Sequence, residues 1–295
     1  MKSVKYLEQQ RERAIKLRDK LTNDPGGGIF RRKPRNFVLK NSQLNLWENI
    51  RKETVEYFEQ HNIQWWFGVD KKYPSGHLLS SQVACLNHLF ALRNAKELAT
   101  KVLQAVEPRI ISAEKIDNGY IEFEVIEGEN KNPLNEKSSG RKRGSLATSI
   151  DALMLGKKQD GKNILVLIEW KYTESYDKSV KTSPYYAEWL NDKTSPIKSP
   201  QNITELFIEP AYQLMRQTLL GWRMAQLGEY SADEYLHLHI IPKENLLLRK
   251  QCENWQNYLV QEDKYKMMDP KCLLNSILAE ENFAKLAEYL QERYW

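Results

Sequence analysis

The chain has 295 residues, 41% hydrophobic and 28% charged, enough apolar material for a sizeable core under a solvated surface. Its net charge of +5 and pI near 8.8 permit a polyanionic partner without requiring one. No apolar run is long enough to span a bilayer, the opening MKSVKYLEQQRERAIKLRDKL lacks the apolar stretch of a signal peptide, and Cys85, Cys252 and Cys272 form neither a disulfide framework nor a zinc spacing. A cytoplasmic protein with reduced thiols is expected.

The first helix is predicted to end near Leu21, where Asp24-Pro25-Gly26-Gly27-Gly28 breaks it. A basic stretch with Arg31, Arg32, Lys33, Arg35 and Lys40 follows. A second helix fits Leu44 to His61, with Leu46, Ile50, Val55 and Phe58 inward. Ser80-Ser81 reads as a helix N-cap, and SQVACLNHLFALRN as a buried helix. Asn94 to Val106 continues as a further helix or a bent extension of that one. Alternation over Tyr120–Ile126 marks a strand. A polar loop with Arg141, Lys142 and Arg143 comes next.

Two apolar strands follow, Ser149–Leu155 and Asn163–Tyr172, joined through KKQDGK. A polar and aromatic segment runs from Thr173 to Asn202. A helix starts near Glu209-Pro210 and reaches about Leu227. Tyr235–Ile241 is a strand stopped by Pro242, and the remainder reads as helices. This order predicts an α/β fold: a mixed sheet containing an antiparallel hairpin whose strands are covered on both faces. One domain is expected over 1–295, with an N-terminal helical arm (1–79), a core (80–242) and C-terminal helices (243–295).

Charges in buried strands are costly unless they are paired or bind metal. Glu169 and Lys171 end the run ILVLI and share a strand face with Leu165 and Leu167; Trp170 points the other way. A three-residue loop, Gln159-Asp160-Gly161, would pair Lys158 with Lys162 and set Asp151 opposite Glu169, side-chain roots about 5 Å apart. A two-residue Asp160-Gly161 turn would instead put Asp151 on the wrong face. Two adjacent carboxylates repel unless a cation lies between them, and oxygen-only ligands suit Mg²⁺ or Mn²⁺. Such an ion positions a water and neutralises charge on a phosphodiester, while a lysine orients that water or stabilises developing charge. The bland alternative is an Asp151–Lys171 ion pair at the end of a sheet.

SIDALML followed by LVLIEWKYTE resembles the PD-(D/E)XK nuclease superfamily, the restriction endonuclease-like fold, over roughly Ser80 to Pro242. The order helix, three antiparallel strands, helix, strand matches that fold's core. Ile150 stands where the motif has Pro. The whole chain is similar to bacterial proteins described as restriction endonuclease-like. The resemblance implies metal ligation by Asp151 and Glu169 and a chemical role for Lys171, in a Mg²⁺-dependent endonuclease acting on DNA in restriction or repair. RNA as substrate and a homodimer stay open, as does a catalytically inactive copy that binds nucleic acid or is structural.

Glu124 is a further metal-ligand candidate on the first strand, where the other reading of Glu122 and Glu124 is a solvated face. Gln82 and Asn87 are the polar inward residues of the helix after Ser81. Arg141, Lys142 and Arg143, like Arg31, Arg32, Lys33 and Arg35, are candidates for phosphate contact, the other reading being solvated loops. Gln213 and Gln217, one turn apart with Arg216 between them, are nucleic-acid candidates because the resemblance implies a Gln or Tyr of this helix against the active site; the other reading is an exposed polar stripe opposite Met215, Leu219 and Trp222. Tyr185, Tyr186 and Trp189, with Lys178, Lys181, Lys193 and Lys198, suit nucleic acid or pack among themselves. His237 and His239 share a strand face and read as half-exposed, with no third ligand and no zinc expected.

Overall fold

The computed structural model describes residues 2–295 except 67–70, 138, 144–146, 178–179, 182–184, 199–201 and 279. In chain order, α1 (Lys2–Thr22) leads to a small hairpin, β1 (Gly28–Phe30) and β2 (Lys33–Arg35). Then come α2 (Glu48–Gln60), α3 (Ser81–Leu89), α4 (Lys96–Val106), β3 (Ile110–Glu114), β4 (Glu122–Val125), β5 (Ile150–Lys158) and β6 (Asn163–Trp170). The rest is α5 (Ala187–Leu190), α6 (Ala211–Gln226), β7 (Glu234–Ile240), α7 (Leu246–Cys252), β8 (Tyr265–Met268), α8 (Pro270–Leu274) and α9 (Ala284–Arg293).

Six strands form one mixed sheet in the order β3-β5-β6-β7-β8, with β4 also on β5. β3, β4 and β6 lie antiparallel to β5; β7 runs parallel to β6, and β8 parallel to β7. The sheet is thus the α/β arrangement of a restriction endonuclease-like core. β6 alternates as its sequence requires. Ile164, Val166, Ile168 and Trp170 pack with α2, α3 and α4; Leu165 and Leu167 pack with α6. Each such side chain, fully buried, contributes roughly 1.5–3 kcal/mol.

Two local features fix the helices beside the site. Ser80 caps α3 by accepting the Val83 N–H at 3.4 Å. In α6, a Cβ on Gly221 would come within 2.8 Å of the Leu167 side chain. Glycine therefore lets α6 lie close to β6, and the turn before it, carrying Gln217, is carried in with it.

The structure departs from expectation in several places. The first core strand is split: β3 and β4 share one edge of β5, separated by a kink where Asp117 and Asn118 have positive φ and Ile116 bridges Gly119. β8 lies in the region read as all helix. The helix expected over Leu44–His61 is a 3-10 turn, Ser42–Asn45, followed by α2. Within it Leu46, Ile50 and Phe58 are buried, but Thr54 and Tyr57 take the inward places beside a half-buried Val55. Among the described residues no helix is long and apolar enough to cross a membrane.

Candidate active site

The β5–β6 turn has the three-residue form. Lys158 N–H donates to Lys162 O at 2.8 Å, Gly161 N–H to Lys158 O at 3.0 Å, and Gly161 adopts φ +85°. Ala152 pairs with Ile168 and Leu153 with Leu167, so the next step takes Asp151 to Glu169. On the other side Phe123 pairs with Ala152 and Val125 with Ile150, which sets Glu124 across from Asp151. Three carboxylates therefore stand in a row across three adjacent strands.

Glu169 is buried and held from α6. Its Oε1 accepts from Lys171 Nζ at 2.6 Å and Gln213 Nε2 at 2.9 Å, and its Oε2 from Gln217 Nε2 at 2.5 Å. Gln217 also donates to Ser149 O at 3.0 Å. Those two acceptors fix its amide orientation. Its Oε1 is left buried with no partner among the described residues, an open acceptor beside Glu169. Gln213 in turn accepts from the Tyr176 hydroxyl. Lys171 Nζ lies 5.7 Å from the Tyr176 ring centre. Burial opposes its charge, but Glu169, Tyr176, Glu174 and Asp151 outweigh burial and hold its pKa well above the usual lysine value. Lys171 is a cation at neutral pH.

Asp151 takes the Trp170 N–H on Oδ2 at 2.7 Å. It lines a small gap under α3 with Glu124, Gln82 and Cys85. Burial, then Glu169 and Glu124, push its pKa well above the carboxylate range, against Lys171 and the Trp170 N–H. Glu124 sits in β4 with φ +52°, a left-handed conformation rare outside glycine. It accepts from Gln82 Nε2 at 2.7 Å and Trp66 Nε1 at 3.3 Å. Burial, opposed by those donors and reinforced by Glu169, pushes its pKa up to about 7.

Asp151 and Glu124 thus have separate donor sets, on the α3 side of the row, while Glu169 is clasped from α6. Among the described residues no three of His, Cys, Asp or Glu are clustered tightly enough to hold a metal as a ready-made cage. Mg²⁺ needs no such cage: one or two carboxylates with water and substrate phosphate suffice. The raised carboxyls and the open Gln217 acceptor fit a hydrated cation of that kind.

The remaining candidates divide. Glu122 is not on a solvated face: it is buried, paired with Arg143 at 3.1 Å and bonded by the Tyr230 hydroxyl at 2.8 Å. Asn87 is structural, bonded to Trp47, Asn45 and Tyr294. Arg141 is engaged by Glu127, Glu136 and Ile126 O, and Arg143 additionally by the carbonyls of Phe123 and Glu124. Only Lys142 of the three is exposed.

Arg216 is half-buried against Tyr212, so the Gln213–Gln217 face is no exposed stripe. Tyr186 and Trp189 are buried, and Trp189 Nε1 donates to Leu134 O at 3.0 Å; Tyr185, Lys181, Lys193 and Lys198 are exposed. Lys178 lies outside the described residues. His237 and His239 are fully buried, not half-exposed. Burial and then Lys171 push His237 down to about 3; burial, His237 and Lys171 lower His239 as well.

Sequence reading missed Tyr176, Trp66 and Glu174, which bonds Ser81 and the Tyr172 N–H. All three lie in loops, where periodicity gives no signal. The family model described as Restriction Endonuclease associating with ARP matches residues 4–295. No curated protein and no solved structure matches at a significant level.

Proposed function

Because the chain belongs to the family Restriction Endonuclease associating with ARP, we propose that it is a metal-dependent nuclease hydrolysing DNA phosphodiesters, with Asp151, Glu169 and Lys171 as its catalytic residues. The observation that carries this reading is the row Glu124–Asp151–Glu169 across three strands, with Lys171 charged beside it. Asp151 and Glu169 would hold Mg²⁺ or Mn²⁺, with Glu124 as a further ligand. When bound, the ion supplies Lewis acidity and a water of lowered pKa.

The protein's own residues do the rest. Lys171 keeps its proton, so it serves as an electrostatic partner for charge developing on the phosphate and not as a base. Gln213 and Gln217 fix the Glu169 carboxylate in one orientation, and Gln217 Oε1 is placed to accept from a bound water. Lys142 is the phosphate contact that the Arg141–Arg143 segment leaves available. A single domain that includes the helical arm and the C-terminal helices is supported by two contacts: Gln10 accepts from the Tyr172 hydroxyl, and Arg13 donates to the carbonyls of Gln291 and Glu292.

The second reading, a nucleic-acid-binding protein without catalysis, is favoured by the lack of a three-ligand cluster among the described residues. A cleavage assay on plasmid, single-stranded DNA and RNA, with and without Mg²⁺ or Mn²⁺, separates the two. DNA should be cut only with metal, and Asp151→Ala should lose both cleavage and metal-induced stabilisation. Binding without cleavage in any metal would establish the second reading, and activity in EDTA would refute the first.

A further inference from the structure

We propose that the β1–β2 hairpin is a duplex-contact element whose Arg31–Arg32 tip enters the DNA major groove next to the cleavage site; this rests on the nuclease reading above. Gly28 pairs with Arg35, Ile29 with Pro34 and Phe30 with Lys33, leaving a two-residue turn. Both turn residues are left-handed, with φ of 51° and 63°. This is the signature of a type I′ turn, where Asn and Gly are strongly preferred. The chain instead holds two guanidinium groups at the apex, a strained backbone choice of the kind that clusters at functional sites.

The surroundings leave that apex available. Residues 31–36 are all exposed, and Ile29 is 62% exposed on the same ribbon. Among the described residues no carboxylate pairs with Arg31, Arg32, Lys33 or Arg35. Arg31 lies over the Phe30 ring, 5.4 Å from its centre.

The base is held firmly. Buried Asp24 accepts the N–H groups of Gly26, Lys40 and Asn41 at 2.7, 3.1 and 2.8 Å. Arg18 of α1 donates to Asn36 O at 2.8 Å. A basic two-stranded ribbon on a fixed base loses little freedom on binding, and such a ribbon fits the major groove of B-form DNA.

Its position suits that role. Phe30 and Phe37 pack edge-on against His77, with ring centres 4.6 and 5.1 Å away. Leu39 N–H donates to Gly76 O, and Leu78 N–H to Phe37 O. A few residues on, Ser81 and Gln82 open α3 and bond Glu174 and Glu124. The hairpin therefore stands on the segment that delivers α3 to the row of acids. The bland account is a charged ribbon edge, with Pro34, that merely resists strand pairing.

The test replaces the apex with residues the turn prefers, Arg31→Asn with Arg32→Gly. This keeps the type I′ geometry and should leave the melting temperature unchanged or raised. Anisotropy titrations of the full-length protein on a labelled DNA duplex, in Ca²⁺ and over a salt series, read the contact. Affinity should fall about tenfold or more, and the slope of log K against log salt should drop by about 1.8, from two contacts at about 0.9 each. A second variant, Lys33→Gln with Arg35→Gln, leaves the turn residues in place and should also lower the slope. Duplex RNA should compete poorly, because its major groove is too narrow for a ribbon. Wild-type affinity and slope in both variants would overturn the assignment, as would equal competition by duplex RNA. A wild-type protein that neither binds nor cuts duplex DNA would sink the nuclease reading itself. One that cuts normally while both variants bind like wild type would sink only the hairpin.

Discussion

Glu124→Gln tests the row of acids without touching Lys171 or the β5–β6 hairpin. The Glu124 carboxyl moves from its ordinary 4.5 to about 7 on folding, which corresponds to a free-energy difference on the order of 3 kcal/mol. The direction is unusual for an acid. A carboxyl whose pKa is raised by folding stabilises the protein only while protonated. Its contribution is complete below about pH 4.5 and is lost as the pH rises through about 7. Glutamine mimics the protonated state at every pH and keeps the same backbone.

It gives up one acceptor, against Gln82 or Trp66, at a cost of about 1 kcal/mol. Without metal, the variant should therefore be about 2 kcal/mol more stable than wild type at pH 8, or about 4 °C in melting temperature. The advantage should vanish or reverse near pH 4.5. Urea unfolding in EDTA between pH 4.5 and 8.5 gives the difference curve. Its titration is shared along the row, since Glu169 raises Glu124, and Glu169 and Glu124 raise Asp151. Added Mg²⁺ should stabilise wild type more than the variant at pH 8, because binding adds stability only to a state with a competent site. Parallel pH profiles for the two proteins would refute the argument.

Three further substitutions have defined outcomes. Lys171→Ala should lower cleavage by about 10²–10³ or more while DNA binding persists; the melting point should drop in EDTA and recover with Mg²⁺, and wild-type cleavage by this variant would remove Lys171 from the chemistry. Arg141→Ala should cost about 1–3 kcal/mol in urea unfolding, because it removes the guanidinium that pairs with both Glu127 and Glu136 and leaves them Lys131 and the Thr148 and Tyr186 hydroxyls, and should not change the salt slope of DNA binding. Lys142→Ala should do the reverse, lowering the slope by about 0.9 at unchanged stability; if Arg141 proves the one that sets the slope, the assignment of these three residues is inverted.

The parts of the site that could be read from sequence are those fixed by local pattern. Leu165, Leu167 and Glu169 share a face because strand side chains alternate. Gly161 sets the register because the three-residue loop needs a left-handed residue at that point. β3 gives no alternating pattern, because its two buried residues, Ile110 and Ala113, fall on either side of a register shift and only five residues are involved. β8, YKMM, is a short parallel strand whose pairing to His237–Ile240 comes entirely from distant sequence. The clasp on Glu169 was half visible. Gln213 and Gln217 fall on one helix face, but only the close approach of α6 at Gly221 turns that face toward the acid.

Charge runs show the limit most clearly. Arg31-Arg32 and Arg141–Arg143 look alike as sequence: basic, glycine-flanked and loop-borne. The difference lies in which acids the fold brings to them. Glu127 and Glu136 close around Arg141, and Glu122 meets Arg143. These acids are 5 to 21 positions away in the chain, beyond the reach of any periodicity argument. No carboxylate among the described residues meets Arg31 or Arg32. A buried cation matched by acids has already given up its water to the fold, so removing it costs stability. An exposed one keeps its counterions until a polyanion displaces them, so removing it costs affinity and salt slope. Basic residues of equal formal charge thus separate into structural and solvent-facing sets by one physical criterion, the presence of a desolvated acid, and that criterion is tertiary.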